Sequence, residues 1–488
     1  MKLLFINPPN KKLRNEVNKA VLPLGLAYLA AVLLREKYDV RILDSVIEDI
    51  DNHFIFNDCE YYGLGIEYIR DEIQKYNPDV VGVSCLFTST TEISIEICRV
   101  SQECNVRHTI IGGPTPSALT EFFISKSCID LVFIGESEES IAEFSHAVNQ
   151  GGELDFSKID GIAYKDTHNH PVIKPKRSFI ANIDDIPLPA RHLLPMEKYF
   201  EISSPQGGVY KSKRNTPILT SRGCPATCCF CASANVWGKG YRMRSPEMVI
   251  KEIELLKKEY NIEEFQIQDD NFTLNKKRTI QICKDLKNMD LYWSMPNGVA
   301  LWALDEEVIK AMGEAGCHFI IAAIESGNKR VLKEVIKKPL KLDTVIDLCK
   351  CIKKNRIFLS GFFIVGFPDE TLDEIRDTFK FALKCNLDIA GFSYATPLPS
   401  TQLWEQAERE NLFTNKFDFT HLTYDKPSLK SNNWTIEELE ALVISLSRRF
   451  YLKTFFKRPK IILFRIIDSF KRDPLTLLRI IYYRTMRR

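Results

Sequence analysis

Four cysteines fall within eight residues in Cys224-Pro225-Ala226-Thr227-Cys228-Cys229-Phe230-Cys231. Three of them, Cys224, Cys228 and Cys231, make the spacing C-x3-C-x2-C. Thiolates on so short a loop converge on a soft metal centre, and the spacing suits an iron–sulfur cluster. A cubane needs four ligands, so a loop that supplies three leaves one iron open to a further group. Zinc is the weaker reading, because structural zinc takes four closed ligands, usually as two separated pairs. Adjacent Cys228 and Cys229 do not easily face one ion, and no partner Cys-x2-Cys follows downstream. Cys229 reads as a passenger, and Cys85, Cys98, Cys283, Cys317 and Cys385 as small buried hydrophobes.

The chain around this loop has 488 residues, 45% hydrophobic and 27% charged, with net charge +2. That length predicts two or three domains. The near-neutral balance gives no case for nucleic acid. No window reaches the roughly 18–20 apolar residues of a membrane span. Met1–Pro9 reads as a strand rather than a signal peptide. With 14 cysteines and no secretion signal, the expected compartment is the reducing cytoplasm.

The loop's position follows from the elements before and after it. Pro217–Thr220 is a strand running straight into Ser221-Arg222-Gly223-Cys224, so the loop sits at a strand's C-terminal end. Helices at 246–259, 276–288, 306–315, 342–353 and 371–385 then alternate with strands at 264–268, 319–323 and 362–365. This predicts a partial parallel barrel of about six units. Residues 1–150 form a separate series of five βα units, with apolar strands at 3–6, 40–43, 80–84, 109–111 and 131–134. Strands apolar on both faces mean a parallel sheet covered by helices on both sides. Ligands on such sheets sit in the turns beyond the C-terminal strand ends. Here those turns hold Pro8; Ser84, Leu86 and Thr88; Gly112 and Gly113; and Gly135 and Glu136. Their glycines let a backbone approach a flat or phosphorylated ligand closely. No G-x-G-x-x-G is present, which disfavours a nicotinamide. Residues 151–215 form a connector, with a hairpin at 161–173 and a proline-stiffened strap at 184–191.

Asn7-Pro8-Pro9, Pro23–Ala30, Ile111-Gly112-Gly113-Pro114 and Ile134–Ser140 together resemble the cobalamin-binding domain of many radical SAM proteins. Thr115 stands where relatives often carry His, and Ser137 replaces a Gly. No Asp-x-His-x-x-Gly occurs, so the resemblance implies either cobalamin held without a His from that motif or a domain that holds none. The cysteine loop itself matches the radical SAM signature C-x3-C-x-Φ-C, which implies a [4Fe-4S] cluster on Cys224, Cys228 and Cys231. The open iron then takes S-adenosylmethionine. By the same resemblance Phe230 packs near the adenine, Asp269, Asp270 and Asn271 face the methionine end, and Glu325 and Ser326 contact the ribose. Gly361 and Gly366 lie along the adenine strand. Lys337, Lys338 and Lys341 read as a solvated helix end, and Trp293 and Trp302 as core.

The expected fold class is therefore α/β. A doubly wound, Rossmann-like cobalamin-binding domain (1–150) is followed by the connector (151–215). Then come a partial (β/α)6 radical SAM barrel (216–410) and a helical, basic C-terminal region (411–488). The function implied by resemblance is a cobalamin-dependent methyltransferase at an unactivated carbon. A 5′-deoxyadenosyl radical would remove a hydrogen, and methylcobalamin, itself charged from a second S-adenosylmethionine, would supply the methyl. Two alternatives stay open: a radical cyclase or carbon–carbon coupling enzyme, and a non-catalytic corrinoid or iron–sulfur carrier. The expected partners are a small-molecule substrate of lipid or isoprenoid type and an electron donor such as ferredoxin or flavodoxin. Residues 448–488 carry 13 Lys/Arg against two acids among aromatics and aliphatics, a pattern for peripheral contact with an anionic membrane.

Overall fold

The computed structural model describes residues 1–12, 17–150, 155–414 and 417–457. The first sheet contains β1 (Lys2–Asn7), β2 (Asp39–Asp44), β3 (Val80–Ser84), β4 (His108–Gly112), β5 (Leu131–Phe133), β6 (Ile162–Lys165) and β7 (Pro171–Lys174). Its order is β7-β6-β5-β4-β3-β1-β2. The five strands from β1 to β5 pair in parallel. Alternate residues of β1 enter opposite cores: Leu4 and Ile6 pack with Val81, Val83 and Ile97, while Leu3 and Phe5 pack with Ala30, Val80 and Phe144. That two-sided burial is why the strands read as continuous apolar runs. The strand order reverses between β1 and β3, and Pro8, Ser84 and Leu86 follow those strands at the edge where sheets of this kind bind ligands.

The hairpin read into the connector is β6 and β7, and it pairs antiparallel onto β5, extending this sheet. A three-stranded antiparallel sheet (10–11, 53–56, 59–62) went unread in the sequence. Its hairpin turns on Asn57 and Asp58, both at positive φ, which is type I′ geometry without the usual Asn-Gly flag.

The second sheet runs in simple order, β8 (Asn215–Ile218), β9 (Glu264–Ile267), β10 (Tyr292–Val299), β11 (Cys317–Glu325), β12 (Phe358–Val365) and β13 (Ile389–Tyr394), all parallel. Trp293 is core, stacked on Phe265 at 6.2 Å with its indole N–H on the Ala315 carbonyl (2.8 Å). At the opposite end from the cysteine loop, His318 bonds Glu264 at 2.8 Å. The connector's last turn fills the barrel wall, where Gln206 and Gln266 exchange two backbone–amide hydrogen bonds (3.0 and 3.1 Å). Thr435 and Glu438 exchange capping hydrogen bonds. The helix they open spans Ile436–Lys457, seven residues beyond the expected Phe450. Among the described residues no helix is long and apolar enough to cross a membrane.

Candidate active site

β8 carries the cysteine loop to the C-terminal edge of the second sheet. Ser221–Arg222 pairs antiparallel with Arg242–Met243, tying the chain before the first cysteine to the chain after the last. Gly223 has φ +83°, and a Cβ there would collide with the Gly240 carbonyl, so only glycine lets the two strands pass. The Cys231 N–H donates to the Cys228 carbonyl (3.1 Å) and closes the turn. Cys229 points inward at 7% exposure, its backbone bonded to Ile336 and Leu403. Cys224 and Cys228 are half-buried and Cys231 opens on the cleft. Enclosure by the cleft walls raises the Cys228 thiol and pushes Cys231 up to about 11, so a metal binding there would have to displace their protons. Among the described residues no three His, Cys, Asp or Glu side chains close on one point as ligands of a single metal ion.

The segment after β9 divides its labour in a way the sequence did not reveal. Asp269 is buried and accepts hydrogen bonds from the Thr220 N–H, the Thr220 hydroxyl and the Ser221 hydroxyl, each at 2.6 Å. Its carboxylate holds the strand before the cysteines, a role that facing the methionine end did not foresee. Asp270 accepts from Ser233 at 2.5 Å, two residues past Cys231. Asn271 faces the cysteines: its amide donor lies 3.9 Å from the Cys224 sulfur, and its buried Oδ1 has no partner. A buried acceptor without a donor is costly. That orphan suits an ammonium beside the cluster site.

Glu325 ends β11 in the left-handed region (φ +66°), a conformation that a non-glycine residue keeps at a cost. Its carboxylate meets Lys338 at 3.0 Å, both side chains under 10% exposed. Lys338 is therefore no solvated helix end. Burial alone would lower its ammonium, but Glu325 and then the Cys228 thiol outweigh burial and hold it above its ordinary value. Ser326 turns the other way, bonding Thr378 at 3.0 Å. Phe230 tilts against Phe367 at 6.2 Å. Gly361 and Gly366 leave space that the protein itself takes up, since an added Cβ would meet Leu387 or Leu439.

Across the cleft, the first sheet presents its strand-end turns. Leu86 and Phe87 are 52% and 54% exposed, an apolar platform at the switch point. Thr115, where His was absent, locks this loop through the Leu86 carbonyl (3.4 Å). Gly113 (φ +116°) passes the Cys85 carbonyl where no Cβ fits. The Gly135 N–H bonds Ser117 at 2.8 Å, stitching two turns together. Ser84 ends β3 beside Gly112, Pro8 is buried after β1, and Thr88 opens a 3-10 turn. Glu136 departs from expectation. Its carboxylate is fully buried on Arg222 and Arg242, leaving only its backbone to a ligand.

Three residues were missed as site members. Lys338 was hidden in a basic run. Arg222 precedes the first cysteine by two residues. Tyr424 lies on the segment after the barrel, where the Tyr394 N–H donates to its carbonyl at 2.9 Å. It is 56% exposed yet walled by the cleft, and that enclosure, then Cys231, raises its phenol.

A barrel with a three-cysteine strand-end loop, faced by a doubly wound sheet with open turns, defines a two-cofactor class of protein. Residues 218–382 match the profile of the Radical SAM superfamily, and residues 10–145 that of the B12 binding domain. An uncharacterized methyltransferase of Pyrococcus horikoshii is 37% identical over 99% of both chains. The cytidylyl-2-hydroxyethylphosphonate methyltransferase of Streptomyces wedmorensis is 32% identical over 92% of this chain and 90% of that one. In fold, the structure of the cobalamin-dependent S-adenosylmethionine radical enzyme OxsB with aqua-cobalamin and S-adenosylmethionine bound matches at TM-score 0.71 and 18% identity. It covers 99% of this chain and 72% of its own. The radical S-adenosylmethionine methyltransferase TsrM of Kitasatospora setae, with cobalamin and a [4Fe-4S] cluster bound, matches at TM-score 0.68 and 19% identity, over 90% and 84%. The chain belongs to the radical SAM superfamily, in the group that carries a B12-binding domain ahead of the barrel.

Proposed function

We propose that this chain is a cobalamin-dependent methyltransferase that acts on an unactivated carbon of a small molecule. The observation that carries the reading is the apposition of the two sets of strand ends. Helix Ser233–Trp237, two residues past Cys231, packs on helix Pro114–Ala118 behind Gly112 and Gly113, and the Ser400 hydroxyl donates to the Ala118 carbonyl (2.7 Å). When bound, the cluster supplies the electron that cleaves S-adenosylmethionine to a 5′-deoxyadenosyl radical, and cobalamin supplies the methyl group.

The residues divide the rest of the work. Cys224, Cys228 and Cys231 would hold the cluster. Asn271 offers its orphan acceptor to an ammonium, Lys338 offers a buried positive charge to a carboxylate, and Glu325 accepts from hydroxyls. Phe230 and Phe367 wall the adenine side. Leu86, Phe87 and the glycine turns seat a flat macrocycle and keep water from it. Segment 1–150 would thus carry the corrin and 216–410 the radical chemistry, joined by 151–215 and capped by 411–488. Tyr424 borders the cleft from that last segment. A cytoplasmic setting with ferredoxin or flavodoxin as electron donor belongs to the same reading.

Anaerobic reconstitution with iron, sulfide and hydroxocobalamin, followed by S-adenosylmethionine and dithionite, tests it. Formation of 5′-deoxyadenosine together with corrin absorption that survives desalting is expected. No 5′-deoxyadenosine would end the radical reading. Corrin lost on desalting would end the methyl-transfer reading in favour of a cyclase or coupling enzyme.

A further inference from the structure

We infer that Glu136, Glu138, Arg222 and Arg242 form a positioning latch that sets the separation between the turns facing the corrin and the loop facing the cluster. The inference rests on the function proposed above. One acid comes from the turn after β5, the other opens the helix Glu138–Gln150 that follows it, and the two bases come from the strands that bracket the cysteine loop. Arg222 reaches both carboxylates, Glu136 with one amino group and Glu138 with the other (2.6 Å). Arg242 holds the second oxygen of Glu136 at 2.7 Å. Side-chain exposures are 0% for Glu136, 3% for Arg222, 8% for Glu138 and 14% for Arg242. The connector joins in, since the Ile180 N–H donates to Glu136 (2.9 Å) and its carbonyl accepts from Arg242 (2.8 Å). Arg242 also donates to the Trp237 carbonyl (3.1 Å), and the Arg222 guanidinium lies 4.8 Å from the Trp237 ring.

A buried ion-pair group is poor evidence for stability, because well-packed apolar side chains often serve as well or better. What it supplies is geometry: a two-armed guanidinium fixes distance and angle together. Here both ends are tied to chemistry over very short stretches of chain. Gly135, directly before Glu136, is a proposed corrin contact, and an added Cβ there would lie 3.2 Å from the Val236 carbonyl. Arg222 is two residues before Cys224, and Trp237 is six after Cys231. A shift of either turn must move the other or break a buried pair. Ser400 with Ala118 and Tyr28 with Leu219 also cross this boundary, each as a single neutral hydrogen bond without that directional hold.

The test uses the reconstituted full chain, with Glu136→Gln as the central change and Glu138→Gln and Arg242→Lys as milder ones. Pulsed electron paramagnetic resonance reads the distance between the reduced cluster and cob(II)alamin. Product analysis reads S-adenosylhomocysteine, which reports methyl transfer to the corrin, against 5′-deoxyadenosine. The latch predicts a broadened or lengthened distance and a fall of about tenfold or more in that product ratio, since misplacement of order 1 Å carries costs of that size. Iron content should stay within about twofold of the unaltered chain, as the three cysteines are untouched. An unchanged distance with both products falling in parallel would reduce the group to structural glue, and so would no change in either product. If Glu136→Gln fails to fold, the two milder variants carry the same readouts. An unaltered chain that makes no 5′-deoxyadenosine or holds no corrin overturns the function itself, a failure visible before any variant is made.

Discussion

Residue identity matters most where a buried charge has one partner. Lys338 and Glu325 share a dry corner beside the Cys224 and Cys228 thiols, and removing one leaves the other uncompensated. Lys338→Met should cost about 3–5 kcal/mol of stability. The double change Lys338→Met with Glu325→Gln should recover much of the melting temperature while still binding S-adenosylmethionine poorly by calorimetry. Unchanged affinity in the single variant would show the ammonium to be idle. Glu370 is a different case, a buried acid whose side-chain partners are backbone N–H groups. It is buried, takes the Gly366 and Phe367 N–H groups on one oxygen, and leaves the other without a partner. Burial pushes its carboxyl up to about 8. The fold therefore favours the protonated acid. This contribution is complete below the ordinary carboxylate range and is lost as pH rises through about 8. Thermal melts from pH 6 to 9 should fall less steeply in Glu370→Gln than in the unaltered chain, and parallel slopes would refute the assignment. Cys224, Cys228 and Cys231 stood out by their spacing alone, and the structure places them on one loop after β8. The partners of Asp269, Glu136 and Lys338 were not legible, because an acid or a lysine in a turn carries no sign of which neighbour consumes its charge.

At the scale of elements, βα periodicity located the five parallel strands of the first sheet and four of the six in the second, because parallel strands buried on both faces show as apolar runs, and it left β10 and β13 unread. The platform after β3 was legible only as a list of residues. Its exposure is a property of the assembled edge, where Leu86 and Phe87 stand out from a turn locked by Thr115. Leu86→Asp and Phe87→Asp should change stability by no more than about 0.5 kcal/mol, as surface substitutions do. They should nevertheless sharply reduce corrin retained per chain after desalting. Full retention would move the corrin seat elsewhere. The glycines in and just after β12 teach the converse. Gly361 and Gly366 suit a ligand-binding strand by motif, but the room they leave is filled by Leu387 and by Leu439 of the last helix.

At the scale of the whole molecule, the helix Ile436–Lys457 buries Leu439, Val443 and Phe450 against the barrel while Leu452 and Phe456 stand 57% and 80% exposed. The basic tail expected to meet a membrane lies, from residue 458, outside the described residues. Phosphatidylglycerol vesicles should cosediment with the full chain and not with a chain ending at 457, and added salt should weaken the association. Equal sedimentation of both chains would dismiss the tail. The sequence by itself determined the two βα series, their order, and the three-thiol loop with its open coordination position. Local spacing and periodicity encode those directly. Tertiary structure alone decided which acids are spent on the scaffold, which lysine is buried beside the cysteine loop, and how tightly the two strand-end faces are pinned together. Each of those depends on residues tens to hundreds of positions apart meeting in a low-dielectric interior, where a charge must find its partner or pay for burial.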